Sequence, residues 1–227
     1  WVDIQLQLFL AIQVIQSRNE KLMNEFKVHN LWPIPVYEDI IPVKQEWKNK
    51  ILNLEYERTK INNSDISKDR YILNDIKDLK SEIETHCERY VRHYLTVKEN
   101  YNFYMLNSWS NLHAPKERSQ IHYHGGSLIS GVYYPILPSE SGNILFYKGD
   151  QLTNLFHHTI RFEYNEHNNV TSDSYALQLK EGTIVLFPSH LNHSVEENLS
   201  NQNRYSIAFN FFVKGKFGKE EYQLELK

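Results

Sequence analysis

Three histidines and an arginine carry the chemistry that can be read in this chain. His122 and His124 stand in a His-Tyr-His run, His193 closes Phe187-Pro188-Ser189-His190-Leu191-Asn192-His193, and Arg204 opens Arg204-Tyr205-Ser206. Alternate residues of a strand project to one face, so His122 and His124 can turn both imidazoles toward one metal ion. Gly182-Thr183-Ile184-Val185-Leu186-Phe187-Pro188 reads as a glycine turn, an apolar strand and a proline stop. His193 follows on the next strand, which brings a third imidazole back over the first pair. Beyond it, Arg204, Ser206, Ala208 and Asn210 share one face of a strand, and Tyr205, Ile207, Phe209 and Phe211 share the other. If the apolar set packs against helices, Arg204 points inward. A guanidinium there is costly unless an anion meets it. It can grip a carboxylate through two parallel hydrogen bonds, and the Ser206 hydroxyl can add a third. The set suits a metal centre with the far carboxylate of a dicarboxylic acid held beside it. Each piece also has a structural reading: a pair drawn by chance from 11 histidines, a histidine half-buried in a hairpin, or an internal ion pair for Arg204.

The elements that must position these groups fall in two blocks. Residues 3–27 read as one amphipathic helix, with Ile4, Leu8, Ala11, Ile12, Ile15, Leu22 and Phe26 at helical spacing. Leu31-Trp32-Pro33-Ile34-Pro35-Val36-Tyr37 is an extended segment whose prolines suit an edge strand. Helices are predicted over 43–57 and 70–95, with a polar loop at 62–65 between them. From 101 onward, β-branched and aromatic runs alternate with Gly, Pro, Asn and Ser. Strands are predicted at 101–109, 119–124, 128–137, 143–148, 159–164, 174–179, 183–187 and 204–213, with a short one near 192–196. In the first of these, Asn107 or Trp109 is expected to face the pocket. The segment 149–173, with His157, His158 and His167, is either a lid over the site mouth or a solvated connection. Helices first and strands afterwards predict an α+β fold. Its core is a jelly roll of about eight antiparallel strands with the N-terminal helices packed on one sheet. The expected division is a helical extension at 1–28 and one domain at 29–227 that includes the helices at 43–57 and 70–95.

Composition narrows the class. The net charge of −3 argues against a nucleic-acid partner, as no basic stripe is present. The single cysteine, Cys87, can form no internal disulfide, so a cytoplasmic protein is expected. The apolar residues near the start are interrupted by Asp3, Gln5, Gln7 and Gln13, so they make neither a bilayer span nor a good secretory signal. The sequon at Asn192 abuts His193, where a glycan would not fit.

Taken together, Ile121-His122-Tyr123-His124, Ser130-Gly131-Val132-Tyr133-Tyr134, Ser141-Gly142-Asn143-Ile144-Leu145-Phe146, the run ending at His193, and Arg204-Tyr205-Ser206-Ile207-Ala208-Phe209-Asn210 carry a resemblance. The stretch 101–213 resembles the 2-oxoglutarate- and Fe(II)-dependent oxygenases, in their prolyl-hydroxylase-like branch of bacterial and phage members. The resemblance implies a double-stranded β-helix with iron at its mouth. His122 takes the place of the first ligand and His193 of the last. His124 falls where most members carry aspartate. Arg204 matches the residue that binds the distal carboxylate of 2-oxoglutarate, with Ser206 in the usual Arg-x-Ser pair. Tyr134 matches a strand position that often adds a hydrogen bond to it, although a core role for that ring is equally open. No catalytic residue beyond the metal ligands is implied. The resemblance also implies molecular oxygen and a small-molecule or peptidyl substrate, and leaves the oligomeric state open. Three neutral imidazoles leave a divalent metal at full charge, which favours direct binding of an anionic cosubstrate and also fits Zn(II), Ni(II) and Cu(II).

Two other readings fit the same residues. A cupin also opens with His-x-His, but it wants a glutamate a few residues past His124, where this chain has Ser127 and Leu128, and it gives Arg204 no role. A non-catalytic jelly-roll interaction module would keep the histidines only for a structural metal.

Overall fold

The β-branched and aromatic runs of the second half form long antiparallel ladders in the computed structural model, which describes residues 27–29, 33–59, 62–149 and 162–227. The strands are β1 (Tyr37–Ile40), β2 (Tyr56–Arg58), β3 (Asp65–Ser67), β4 (Asn102–His113), β5 (Ser119–His122), β6 (Ile129–Ile136), β7 (Ile144–Tyr147), β8 (Ser174–Leu177), β9 (Thr183–Pro188), β10 (His193–Val195), β11 (Arg204–Phe217) and β12 (Leu224–Leu226). The α-helices are α1 (Gln45–Leu52) and α2 (Lys77–Glu88). An eight-stranded sheet runs β1-β9-β6-β11-β4-β3-β2, with β12 paired to β11, and a four-stranded sheet runs β5-β10-β7-β8. The chain divides into Trp1–Ile34 and Pro35–Lys227, and all these elements lie in the second unit.

Alternation along β11 separates two cores. Ile207, Phe209 and Phe211 join Trp47 and Ile51 of α1, Leu79 and Ile83 of α2, and Tyr133, Ile184 and Leu186 of the large sheet. Ala208 lies in the other cluster, with Val132 and Tyr134 of β6, Ile144 and Phe146 of β7, and Val185 and Phe187 of β9. That second cluster draws residues from both sheets. It is the interior of the jelly roll, and Arg204 points the same way.

Several boundaries depart from expectation. The helix predicted over 43–57 ends at Leu52. Tyr56–Arg58 instead forms a hairpin with β3, and the Tyr56 hydroxyl donates to Ser110 Oγ at 2.9 Å. The polar loop at 62–65 therefore gives way to a strand at Asp65. The helix predicted over 70–95 begins late, because residues 70–73 are claimed by β4. Ser108 N donates to Arg70 O at 2.8 Å, and Leu73 N donates to Ser108 Oγ at 3.1 Å. A 3-10 turn (Ile72–Asn74) precedes α2 and a π turn (Arg89–Tyr94) follows it. Of the extended segment predicted at 31–37, residues 33–36 are not in a strand and Tyr37 opens β1, which forms the edge of the large sheet. The helix predicted over 3–27 falls almost wholly outside the described residues, as do His157, His158 and the first part of the strand predicted at 159–164; Phe162–Tyr164 are not in a strand. Among the described residues, no helix is long and apolar enough to cross a membrane.

Candidate metal centre

Register across the small sheet brings the first two imidazoles together. His193 of β10 sits opposite His122 of β5, with Phe146 of β7 on its other side. His124 is not on the strand with His122: β5 ends at His122, and a turn at Gly125 and Gly126 follows. Gly126 takes φ +75°, a conformation that costs glycine little. The backbone of His124 is instead fixed by its N–H, which donates to Ser189 O at 2.9 Å in the turn after β9. The three rings still converge. Their centroids are 5.4 Å apart for His122 and His124, 4.3 Å for His122 and His193, and 5.1 Å for His124 and His193. One ligand nitrogen from each lies within 4.8 Å of the others.

Each ring has one nitrogen already committed. His122 Nδ1 lies 2.8 Å from Gln120 O, His193 Nδ1 lies 2.9 Å from Leu191 O, and His124 Nδ1 lies 2.7 Å from Asn210 Oδ1. All three partners are acceptors, so each Nδ1 carries the hydrogen and each Nε2 keeps its lone pair. Hydrogen bonds of this kind set the tautomer and orientation of metal-binding histidines. Aromatic walls dry the site: Phe187 is 4.7 Å from the His193 ring and Trp109 is 5.6 Å from the His124 ring, centroid to centroid. Burial, and then the neighbouring His122, pulls His193 down to about 3; burial is also the main cause that lowers His124. Both rings are neutral near pH 7, the form that binds metals.

Arg204 opens the second part of the site. It is completely buried. Its Nη1 donates to Ser141 O at 2.9 Å and Gly142 O at 3.3 Å. Gly142, at φ +87°, has no room for a side chain, since a Cβ would lie 2.7 Å from Glu196 O. Nε and Nη2 of Arg204 have no partner, and neither do the Tyr134 hydroxyl, the Ser141 hydroxyl or His113 Nδ1. His113 is the direct cross-strand partner of Arg204, and Tyr134 and Glu196 act on it electrostatically. Two orphaned donors of the guanidinium thus sit with three orphaned polar atoms of neighbouring Tyr134, Ser141 and His113. No described carboxylate forms an ion pair with Arg204, which removes the internal-pair reading. Burial lowers Arg204 to about 10, so it stays charged at neutral pH, and burial raises the Tyr134 hydroxyl, which stays protonated as a donor. A buried cation with idle donors around it is complementary to an anion with several lone pairs. Ser206 lies buried two residues along the strand from Arg204, and its hydroxyl is not among the orphaned atoms.

Residues 107–210 match the family model described as “Putative 2OG-Fe(II) oxygenase”. Over that stretch the chain is similar to the 2OG-Fe(II) oxygenase family. Three solved structures show a similar fold. One is an oxidoreductase of the 2OG-Fe(II) oxygenase family from Burkholderia pseudomallei, at 11% identity and a TM-score of 0.51, over 74% of this chain and 76% of that one. A second is the non-heme alpha ketoglutarate dependent carbocyclase SnoK from nogalamycin biosynthesis, at 12% identity and a TM-score of 0.54, over 80% and 82%. The third is HygX from Streptomyces hygroscopicus, solved with nickel, 2-oxoglutarate and hygromycin B, at 10% identity and a TM-score of 0.52, over 79% and 83%. No curated protein matches the chain in sequence. The family's enzymes are 2-oxoglutarate-dependent non-haem iron oxygenases, with Fe(II) as cofactor and 2-oxoglutarate as cosubstrate.

Of the site residues expected from the sequence, His122, His124 and His193 cluster together and Tyr134 lies near Arg204, while the contacts of Ser206 show no part for it. Three features escaped sequence reasoning: the hold of Asn210 on His124, and the places of Ser141 and His113 beside Arg204. Asn210 left a signal, as it shares the inward face with Arg204. Ser141 left little, because it reaches the site through a turn and not through a strand pattern.

Proposed function

We propose that this chain is a dioxygenase in which His122, His124 and His193 hold Fe(II), while Arg204, with Tyr134 and Ser206, holds the distal carboxylate of 2-oxoglutarate. The observation that carries the reading is the presence, in one jelly roll, of three histidines whose ligand nitrogens lie within 4.8 Å of one another and of a buried guanidinium with two unpartnered N–H groups. When bound, Fe(II) supplies the redox chemistry that couples oxidative decarboxylation of 2-oxoglutarate by O2 to hydroxylation of a C–H bond, with succinate and CO2 as the other products. The chain's own contribution is positional. Gln120 O, Leu191 O and Asn210 Oδ1 hold the imidazoles in one tautomer. Arg204 offers Nε and Nη2 as a fork to two carboxylate oxygens, and Tyr134 and Ser141 hold hydroxyl donors for the remaining lone pairs. Phe187 and Trp109 keep water from the rings. We read the substrate as a small molecule or a peptidyl side chain. The buried single thiol favours a cytoplasmic setting, and we take residues 29–227 as the catalytic domain.

The reading is tested by titrating 2-oxoglutarate into the protein under anaerobic Fe(II), with and without the metal. Binding should require the metal. Arg204→Met should weaken it about 100-fold or more, since two charge-assisted hydrogen bonds are lost. Its melting temperature should be unchanged or higher, because an unpaired buried charge has been removed. Binding that ignores both metal and Arg204 would return the chain to the cupin or interaction-module readings.

A further inference from the structure

We infer that Asn210 is a positioning residue that keeps the hydrogen of His124 on Nδ1, so that the nitrogen facing the site has a lone pair, and that Asn107 supports Asn210 in that orientation. The inference rests on the three-histidine reading above.

His122 and His193 donate to backbone carbonyls, which cannot exchange donor for acceptor. His124 is different, because its Nδ1 meets a side-chain amide with one accepting and one donating end, and the Ser130 hydroxyl at 3.1 Å, which can serve either tautomer. With Oδ1 at 2.7 Å, the hydrogen must sit on His124 Nδ1, and Nε2 is free to coordinate. A reversed amide would present Nδ2 hydrogens to Nδ1 and call for the opposite tautomer. Nε2–H would then point into the site, and a protonated nitrogen has no lone pair for a metal.

The hydroxyls around Asn210 do not settle this choice. Ser130 Oγ lies 2.7 Å from Asn210 Oδ1 and 2.8 Å from Ser189 Oγ, and Ser127 Oγ lies 3.0 Å from Ser189 Oγ. Hydroxyls can turn to serve either amide orientation. Asn107 supports the observed orientation, since Asn210 Nδ2 donates to its Oδ1 at 2.9 Å. A bulge in β4 makes that contact possible. Asn210 pairs with Asn107 but Phe211 pairs with Met105, so Leu106 is the extra residue. Phe103 and Met105 pack on the helix-side core. In a regular strand Asn107 would share their face, and the bulge turns it toward Asn210. The sequence of control runs from the bulge to Asn107, to Asn210, to the tautomer of His124.

The test uses the full chain labelled with 15N-histidine. In the wild-type apo protein, the His124 ring should report hydrogen on Nδ1. Asn210→Leu should lose that preference and bind Fe(II) about 10- to 100-fold more weakly in a chelator competition. Asn210→Asp should restore both, because a carboxylate can only accept, and Asn107 can turn its amide to donate to it. Asn107→Asp should keep the wild-type tautomer by locking Asn210 Nδ2 toward it. Melting curves show that each variant is folded; should Asn210→Leu fail to fold, the two aspartate variants carry the test. The proposal is overturned if folded Asn210→Leu retains the Nδ1–H ring and wild-type affinity, or if Asn210→Asp is folded with the wrong tautomer. A fault in the metal-centre reading shows separately, as wild-type protein whose Fe(II) affinity is unchanged by His193→Ala.

Discussion

His113 shows how one side chain can tie acid sensitivity to the site. It is 1% exposed, its Nε2 lies 2.9 Å from Ser119 Oγ, and it faces Arg204 across the β4–β11 ladder. Burial, then Arg204, then Arg58 pulls it down to about 2. In the unfolded chain the ring takes a proton near pH 6.5. Between these values the unfolded state binds more protons, so stability is full above pH 6.5 and is lost as the pH falls toward 2. The slope is about 1.4 kcal/mol per pH unit once the unfolded ring is fully protonated. Urea unfolding of the apo protein at pH 7, 6 and 5 should therefore show declining stability. His113→Gln should flatten that decline by up to this slope, and parallel curves for the two proteins would refute the assignment.

At the scale of elements, the site depends on how closely β6 can lie between β9 and β11. Gly131 sits opposite Phe209 on one side and Leu186 on the other. A Cβ there would come within 2.4 Å of the Phe209 ring and 2.7 Å of Leu186 Cδ2. Both neighbours are buried in the helix-side core and cannot swing into solvent. Gly131→Ala should destabilise the protein by about 1–3 kcal/mol through overpacking. Gly131→Ala with Phe209→Leu should recover part of the loss, as the shorter side chain vacates the contact. Denaturant midpoints of the two single variants and the double variant decide it, and strict additivity would count against the packing explanation.

For the whole molecule, every site residue lies in the unit Pro35–Lys227, which has its own internal contacts. A chain trimmed to start at Pro35 should melt cooperatively and keep metal-dependent binding of 2-oxoglutarate. Loss of folding on trimming would make the first 34 residues part of the domain. Within this unit, the inward and outward faces of β11 were open to sequence reasoning. A strand repeats every two residues and nearby chemistry alone separates Arg204, Ser206, Ala208 and Asn210 from Tyr205, Ile207, Phe209 and Phe211. The arginine was legible for the same reason, whereas the histidines were legible as types and spacings, since His124 lies past the end of β5 and reaches the other two rings from a turn. What needed the tertiary structure was everything set by pairing between distant segments. The claim of β4 on residues 70–73 delays a helix that local periodicity would start earlier. The bulge at Leu106 exists only against β11, and it turns Asn107 toward Asn210. Periodicity is a property of neighbouring residues along the chain. Register, bulges and the partner of a buried donor are properties of whichever strand arrives opposite, and that is decided only when the sheet closes.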